Sequence, residues 1–166
     1  MRIFGEPLAA LNRQAGYLFQ ADALFPWKTA LENVAIGLEI AGIAQTEARS
    51  RARDWLGRVG LANFGDRYPH MLSGGQRKRV GLAQVLIRDP KILLMDEPFS
   101  ALDALTRGTL QDEVRRICED TGQTVFMITH DVDEAIYLAD RIVLMTNGPG
   151  ARIAEIVANP LPKERT

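Results

Sequence analysis

The stretch that decides the fold is Ile92-Leu93-Leu94-Met95-Asp96-Glu97-Pro98. Its four consecutive apolar residues predict a strand that is buried on both faces, as in a parallel sheet covered by helices. Two adjacent carboxylates follow at the end of this strand, which is where open α/β sheets place their ligands. The stretch therefore predicts an arrangement of layers and a polar site at one edge of a sheet.

Apolar runs elsewhere in the chain alternate with stretches of helical periodicity, and this alternation predicts an α/β domain with a mainly parallel sheet. Thr46 is the predicted N-cap of a helix that ends near Gly60, and Gly122 is the predicted left-handed residue after a helix that carries Leu110, Val114 and Ile117. Asp131 and Glu134 predict the capped start of a further helix. The other predicted strands are residues 15–19, 124–129, 141–145 and 153–157, and the last two form a terminal hairpin.

The composition is that of one ordinary globular domain, with 166 residues, 46% of them hydrophobic and 25% charged. The net charge of −1 provides no overall field toward nucleic acid or an anionic membrane, so we expect no nucleic-acid partner. Cys118 is the single cysteine, which excludes an internal disulfide framework. The longest apolar stretch, residues 34–44, is too short to span a membrane, and the first residues lack a secretory signal, so we expect a cytoplasmic protein.

Residues 72–76, Leu-Ser-Gly-Gly-Gln, precede a basic helix that begins with Arg77, Lys78 and Arg79. Two glycines let backbone amides approach a ligand, Ser73 supplies a hydroxyl, and a helix N-terminus adds the positive end of a dipole. This combination predicts an anion site. The alternative is a glycine-containing turn before a surface helix whose three basic residues are solvated.

The carboxylates after the decisive strand fit phosphoryl transfer, in which Asp96 suits a Mg²⁺ ion and Glu97 can polarise an attacking water. In the alternative, Asp96 caps a turn and Glu97 is solvated. Gln20 and His130 each follow a predicted strand. Parallel neighbouring strands would bring both side chains to the edge that carries the carboxylates, although polar residues also commonly close strands.

In this order, the segments resemble the ATP-binding subunits of ABC transporters over nearly the whole chain. The resemblance implies a P-loop NTPase-like core with a helical subdomain, ATP and Mg²⁺ as ligands, and two such chains that sandwich two ATP molecules. It implies catalytic roles for Glu97 and His130 and Mg²⁺ binding by Asp96 and Gln20. The residues that it assigns to nucleotide contact are Gln20 of the Q-loop, the signature residues Leu72, Ser73, Gly74, Gly75 and Gln76, and Asp103 of the D-loop at residues 100–103.

The same resemblance divides the 1–166 domain into segments. Residues 1–20 end the core before the Q-loop, and residues 21–88 contain the Q-loop, the helical subdomain and the signature helix. Residues 89–158 contain the Walker B strand, the D-loop, the switch histidine and the terminal hairpin. Residues 159–166 are expected to be a frayed tail.

Residues 23–27, 37–39, 77–80, 96–103 and 148–150 resemble importers of the nitrate, sulfonate and taurine type, a class that also includes importers of pyrimidine precursors. The resemblance implies transmembrane permease subunits, a second ATP-binding subunit, a periplasmic or extracellular substrate-binding protein and a position at the inner face of the membrane. Phe25 and Trp27 are then either a docking face for a membrane subunit or part of the core.

The sequence departs from that family in one respect, because it contains no G-x-x-x-x-G-K-[ST] motif. This motif supplies the amides, the lysine and the hydroxyl that hold the phosphates and Mg²⁺. We expect an N-terminally truncated chain, since in the family the motif precedes the segment that residues 2–7 resemble.

Two other functions fit parts of the pattern. One is a non-catalytic partner that donates only its signature to a complete subunit. The other is an ABC-type ATPase of DNA repair or chromosome organisation, which carries a long coiled coil between the Q-loop and the signature. Between Gln20 and Leu72 the sequence has only a compact helical insert without sustained heptads, which disfavours the last class.

The 166-residue chain alone is expected neither to bind ATP tightly nor to hydrolyse it, because the remaining groups leave most of the triphosphate without protein partners. Calorimetric titration of the purified chain with ATP and Mg²⁺ measures this. A micromolar affinity would contradict the prediction.

Overall fold

The computed structural model describes residues 2–3, 5–7, 12, 14–100 and 102–161. The chain divides into two compact units, Met1–Ile128 and Thr129–Thr166. The first unit contains β1 (Arg2–Ile3), β2 (Glu6–Pro7), β3 (Ala15–Leu18), α1 (Ala30–Ile40), α2 (Gln45–Arg58), a 3-10 turn (Pro69–Met71), α3 (Gly74–Leu86), β4 (Ile92–Asp96), α4 (Ala104–Thr121) and β5 (Thr124–Ile128). The second contains α5 (Val132–Leu138), β6 (Arg141–Met145) and β7 (Ile153–Ala158).

A three-stranded parallel sheet organises the first unit, with β4 between β3 and β5. Ala15 pairs with Ile92, and Ile92 pairs with Thr124, so the three strands run in register. Their carboxyl ends therefore meet at one edge of the sheet. The strand 15–19 was predicted one residue too long at its end, and the strand 92–95 one residue too short.

The two faces of this sheet differ in burial. Leu93 and Met95 are buried, and α3 packs on their face so closely that a Cβ on Gly16 would lie 2.4 Å from Val85 Cγ1. On the other face Leu94 is only half-buried, because its paired neighbours Tyr17 and Phe126 are 41% and 56% exposed. The prediction that β4 is buried on both faces is thus wrong for one of them.

A layer of three helices, α1, α2 and α3, packs together beside the sheet. A capping box starts α1: Thr29 Oγ1 accepts a hydrogen bond from the Glu32 amide, and the Glu32 carboxylate accepts one from the Thr29 amide. The predicted cap of α2 at Thr46 is wrong, because the helix begins at Gln45 after Ala44, which makes no side-chain cap. The buried apolar residues of this layer include Val34, Ala35, Ala48, Ala52, Leu56, Val80, Leu82, Ala83 and Leu86.

Among the later elements, the predicted helix caps agree with the structure, while β5 ends one residue before its predicted end and β7 one residue after it. Gly122 follows the last residue of α4 and has a φ of 65°, in the left-handed region that glycine adopts most easily. In the second unit the Asp131 side chain accepts a hydrogen bond from the Glu134 amide at 3.1 Å and so caps α5, while β6 and β7 pair antiparallel as the terminal hairpin. Residues 162–166 of the predicted tail, and Ala101 of the predicted D-loop, lie outside the described residues. No described helix is long and apolar enough to cross a membrane.

The first turns of α3 and α4 touch at Gly75. A Cβ on this buried glycine would lie 2.5 Å from Thr106 Cγ2, a distance that side chains do not tolerate. Gly108, one turn further along α4 than Leu105, has no atom within 4 Å of the position that a Cβ would take. The chain thus offers a crowded and an open helical glycine for comparison.

Gly75→Ala is expected to destabilise the protein by about 1–3 kcal/mol, because the added methyl overpacks the contact with Thr106. Gly108→Ala is the matched control and should stabilise it by about 0.5–1 kcal/mol through the higher helix propensity of alanine. Urea denaturation of both variants measures the difference. Adding Thr106→Ser to Gly75→Ala removes the clashing methyl and should recover part of the loss; equal stabilities for the two alanine variants would contradict the contact.

Candidate functional site

Three of the predicted site residues meet at the carboxyl edge of the sheet. Asp96 is the last residue of β4 and Glu97 follows it, while Gln20 lies two residues beyond the end of β3. Gln20 Nε2 donates a hydrogen bond to Glu97 Oε2 at 2.9 Å. The parallel register therefore brings the amide and the carboxylates together, as the strand order implied, and their roles in chemistry stay predictions.

The backbone of Glu97 is held in an uncommon conformation. Its φ is 41°, in the left-handed region, which costs a residue other than glycine of the order of 1–3 kcal/mol. Its amide donates to the Ile128 carbonyl at 2.9 Å, and its carbonyl accepts from Ser100 Oγ at 3.0 Å. Such a conformation persists only where several contacts determine it together, so the backbone from which the Glu97 side chain starts is fixed by the fold.

Tyr17 is a member of this edge that the sequence interpretation missed. Its hydroxyl donates to Asp96 Oδ2 at 3.4 Å, and its ring lies 4.4 Å from that of Phe19 between centroids. Partial burial, and then the negative charge of Asp96, raise the pKa of the Tyr17 hydroxyl, which keeps it protonated and able to donate. The signal was available, because Tyr17 pairs with Leu94 and so shares a sheet face with Asp96 two residues further on.

The signature residues form the start of α3. Ser73 is the N-cap, and its Oγ accepts a hydrogen bond from the Gln76 amide at 3.2 Å, while Gln76 Oε1 accepts one from the Ser73 amide at 2.9 Å. A helix leaves its first four amides, here those of residues 73–76, without intrahelical partners, and this capping box satisfies those of Ser73 and Gln76. The amides of Gly74 and Gly75 lie between them, in the N-terminal turn that carries the positive end of the helix dipole.

The lack of a side chain at Gly75 has a packing reason as well as the predicted ligand reason. The space that a Cβ would need is taken by Thr106 of α4. At Gly74, in contrast, a Cβ would reach only ordinary contact with Arg77 at 3.9 Å and Leu102 at 4.0 Å. Of these two glycines, only Gly75 is therefore required by the packing of α3 on α4.

The basic residues after the signature are engaged within the chain. Arg77 Nε pairs with Asp22 Oδ2 at 2.6 Å, and Arg79 Nη1 pairs with Glu113 Oε2 at 3.1 Å. The side chain of Lys78 is only 6% exposed and donates to the main-chain carbonyl of Gln20. The interpretation of these residues as a solvated face is therefore wrong for Lys78, and Asp22 was missed as a partner.

The burial of Lys78 follows from its place on α3. It lies three residues after Gly75 and four before Leu82, both buried, so it falls on the inward stripe of the helix. Burial lowers the pKa of its ammonium group, and the nearby Asp22 carboxylate opposes that shift. A lysine on an apolar stripe was the sequence signal that an internal acceptor must exist.

The remaining predicted site residues lie in other parts of the fold. Asp103 is the N-cap of α4, where its Oδ1 accepts from the Thr106 amide at 3.0 Å, and Leu72 is buried. His130 lies two residues after β5 and belongs to the second unit. The nucleotide-binding and catalytic assignments of these residues stay predictions.

The donors at the sheet edge fit a Mg²⁺ ion that is shared with a nucleotide. Asp96 offers carboxylate oxygens and Gln20 an amide oxygen, the hard ligands that Mg²⁺ prefers. Among the described residues there is no group of three or more His, Cys, Asp or Glu side chains that could hold a metal. Mg²⁺ is commonly held by one or two carboxylates together with phosphates and water, so these two residues suit that mode of binding.

Comparison with known proteins agrees with this fold. Residues 2–100 match the family described as ABC transporter. The taurine import ATP-binding protein TauB of Pseudomonas savastanoi pv. phaseolicola is 51% identical over 151 residues, which are 91% of this chain and 58% of that protein. The nitrate import ATP-binding protein NrtC of Synechococcus elongatus is 46% identical over 150 residues, which are 89% of this chain and 23% of that protein.

A solved structure has the same architecture. The ATP-binding cassette MJ0796, in a dimeric post-hydrolysis state bound to ADP and Pi, superposes with a TM-score of 0.74 at 33% identity, over 87% of this chain and 62% of that one. The fold is therefore that of an ABC ATPase, as predicted. The chain belongs to the ABC transporter family, and it spans less than two thirds of the length of these relatives.

The N-cap at Asp103 makes the stability of the fold depend on pH. The hydrogen bond from the Thr106 amide lowers the pKa of the Asp103 carboxyl, so its contribution to stability is complete above about pH 4 and is lost as the pH falls through the lower, folded-state pKa. Asn caps helices equally well and does not titrate. The stability advantage of the wild type over Asp103→Asn should therefore shrink on acidification, measured by urea denaturation from pH 7 to pH 3.

Asp103→Ala is the control for this prediction. It removes the cap at every pH and should be less stable than Asp103→Asn throughout. A difference between the wild type and Asp103→Asn that stays constant with pH would contradict the role of the ionised cap.

Proposed function

We propose that this chain acts as the ATP-binding and ATP-hydrolysing part of an ABC importer of small anions such as nitrate, sulfonate or taurine. The observation that carries the proposal is the hydrogen bond of 2.9 Å from the Gln20 amide to the Glu97 carboxylate, next to Asp96. The import functions printed in the names of the taurine and nitrate relatives support the substrate class.

At the sheet edge, Glu97 accepts a proton from the attacking water as general base. Its carboxylate is aimed by the backbone contacts to Ile128 and Ser100 and is oriented by the Gln20 amide. Asp96 and Gln20 hold Mg²⁺, which when bound neutralises charge on the phosphates. His130 is the second catalytic residue of the proposal, on the resemblance to the switch histidine.

At the start of α3, the amides of Gly74 and Gly75 and the hydroxyl of Ser73 bind the terminal phosphate of ATP held by a second subunit. Gln76 supports this function by closing the capping box with Ser73, which fixes the direction of the first turn. Leu72 anchors the loop in the core, and Asp103 lies near the nucleotide in the closed dimer. The dimeric state named for the ATP-binding cassette MJ0796 supports a homodimer or a heterodimer.

The remaining partners of the proposed complex are the permease subunits and a periplasmic or extracellular substrate-binding protein, with no nucleic acid. The chain would lie at the inner face of the membrane. Trp27 is 69% exposed and lies in a tilted contact with the half-buried Phe25, with ring centroids 5.6 Å apart, which supports a docking face rather than core packing for the tryptophan.

A non-catalytic partner that donates only its signature is the second candidate. The feature that favours it is the complete capping box at Ser73, which orders the start of α3 within this chain. In this case the groups at Glu97 would not act on a nucleotide, and only the start of α3 would matter for a partner's activity.

Glu97→Gln tests the proposed function in a chimera that joins this chain to the segment of a taurine import relative that carries the phosphate-binding loop. Hydrolysis should fall by roughly 10² to 10⁴-fold, because glutamine keeps the shape but cannot accept the proton. ATP binding should survive, since the proposed Mg²⁺ ligands are retained. Glu119→Gln, at an exposed carboxylate of α4, is the matched control and should hydrolyse ATP at the parental rate.

Ser73→Arg in the same chimera should abolish turnover, because the bulky side chain blocks the amides at the start of α3. The two candidates separate when the natural chain is mixed with a complete ATPase subunit. If this chain only donates its signature, Ser73→Arg lowers the mixed activity and Glu97→Gln does not. Parental hydrolysis by Glu97→Gln in the chimera would overturn Glu97 as the base.

A further inference from the structure

The ammonium group of Lys78 is surrounded by acceptors from one short segment of the chain. It donates to the carbonyl of Gln20 and, at 3.4 Å, to that of Phe19, and it lies 3.7 Å from Asp22 Oδ1. A lysine has three N–H donors, and these are three acceptors. All belong to residues 19–22, called here the Gln20 segment.

The same segment is held a second time from the neighbouring position on α3. Arg77 Nε pairs with Asp22 Oδ2 at 2.6 Å, while its Nη1 donates to the carbonyl of Leu72 at 2.8 Å. Arg77 therefore joins the Gln20 segment to the loop just before the helix. Lys78 and Arg77 together attach the first two turns of α3 to the Gln20 segment, which follows β3.

The other side of the Gln20 segment faces the carboxylates. While the main chain of Gln20 is bound by Lys78, its side-chain amide donates to Glu97 Oε2. Gln20 is thus bound to α3 through its backbone carbonyl and to Glu97 through its side-chain amide. A movement of α3 along this contact would change the distance between the Gln20 amide and Glu97.

We propose that Lys78 is a positioning residue, which fixes the backbone of Gln20 so that its amide stays on Glu97. This role rests on the proposed function, in which Lys78 lies between the sites for two nucleotides. The start of α3 binds the phosphate held by the second subunit, and Glu97 serves the nucleotide of its own chain. Lys78 links the two sites through a single residue, so a shift of α3 on binding one phosphate reaches the base at the other.

The alternative is that Lys78 only stabilises the fold, and the two roles differ in what happens to Gln20. Lys78→Met keeps an unbranched apolar side chain and removes the three donors. If Lys78 positions Gln20, the ratio of bonded to unbonded Gln20 amide falls by roughly twofold to tenfold, the change in an equilibrium constant that goes with the loss of one hydrogen bond. The side-chain amide signal of Gln20 in ¹⁵N-labelled protein, identified by its absence in Gln20→Leu, reports this ratio directly.

The expected result is that this signal in Lys78→Met moves toward its position in Glu97→Ala, where the acceptor is gone. Arg79→Met is the matched control, because it lies on the same helix and loses its contacts to Glu113 and to the Val59 carbonyl. Its Gln20 signal should stay at the wild-type position, even if its stability falls as much. The measurement needs no ATP, so its failure is distinct from a failure of the proposed function.

A wild-type Gln20 signal in folded Lys78→Met would overturn the proposal. Should Lys78→Met not fold, Asp22→Asn decides instead, since it removes the charge shared by Lys78 and Arg77 and leaves both side chains in place. A smaller shift of the Gln20 signal in the same direction supports the positioning role, and an unchanged signal contradicts it.

Discussion

The parallel register of β3 on β4 is the constraint from which the site of this protein follows. Because Leu18 pairs with Met95, the segments that follow β3 and β4 leave the sheet side by side. The residues just beyond the two strands therefore come within hydrogen-bonding distance of each other. The bond between Gln20 and Glu97 is a direct result. Shifting the register by one residue would turn Tyr17 to the other face and remove it from Asp96.

The helical layer depends on the same sheet through α3. Gly16 allows Val85 to approach the backbone of β3, which brings the start of the helix beside the chain that leaves this strand. Burying the charge of Lys78 at that place is unfavourable unless acceptors surround it. The carbonyls of Phe19 and Gln20 supply these acceptors. They lie beyond the last paired residue of β3, so Lys78 also provides donors for carbonyls that the sheet leaves unpaired.

Much of this arrangement could be predicted from the sequence, because it depends on local signals. The apolar run before Asp96, the capping pair at Asp131 and Glu134 and the glycine at position 122 each have one dominant structural meaning. The sequence interpretation passed over two capping boxes of the usual spacing, one at Thr29 and Glu32 and one at Ser73 and Gln76. Thr46 was taken as a cap because its side chain suits the role, but the helix starts at Gln45 without one.

What the sequence could not supply were contacts between residues far apart in the chain. The bonds of Lys78 to Gln20 and of Arg77 to Asp22 join residues more than fifty positions apart, and no periodicity or motif encodes such pairs. The place of Lys78 on the apolar stripe of α3 indicates that it needs an internal acceptor, but only the packing of α3 on β3 decides which residues supply it. The exposed Trp27 and the left-handed Glu97 likewise depend on the tertiary fold rather than on local preference.

The left-handed backbone at Glu97 sets a trade-off between folding and activity at this position. Glycine would adopt a φ of 41° without the strain of about 1–2 kcal/mol that a residue with a Cβ bears there, but it has no carboxylate. Selection for stability alone would therefore favour losing the group that the proposed chemistry needs.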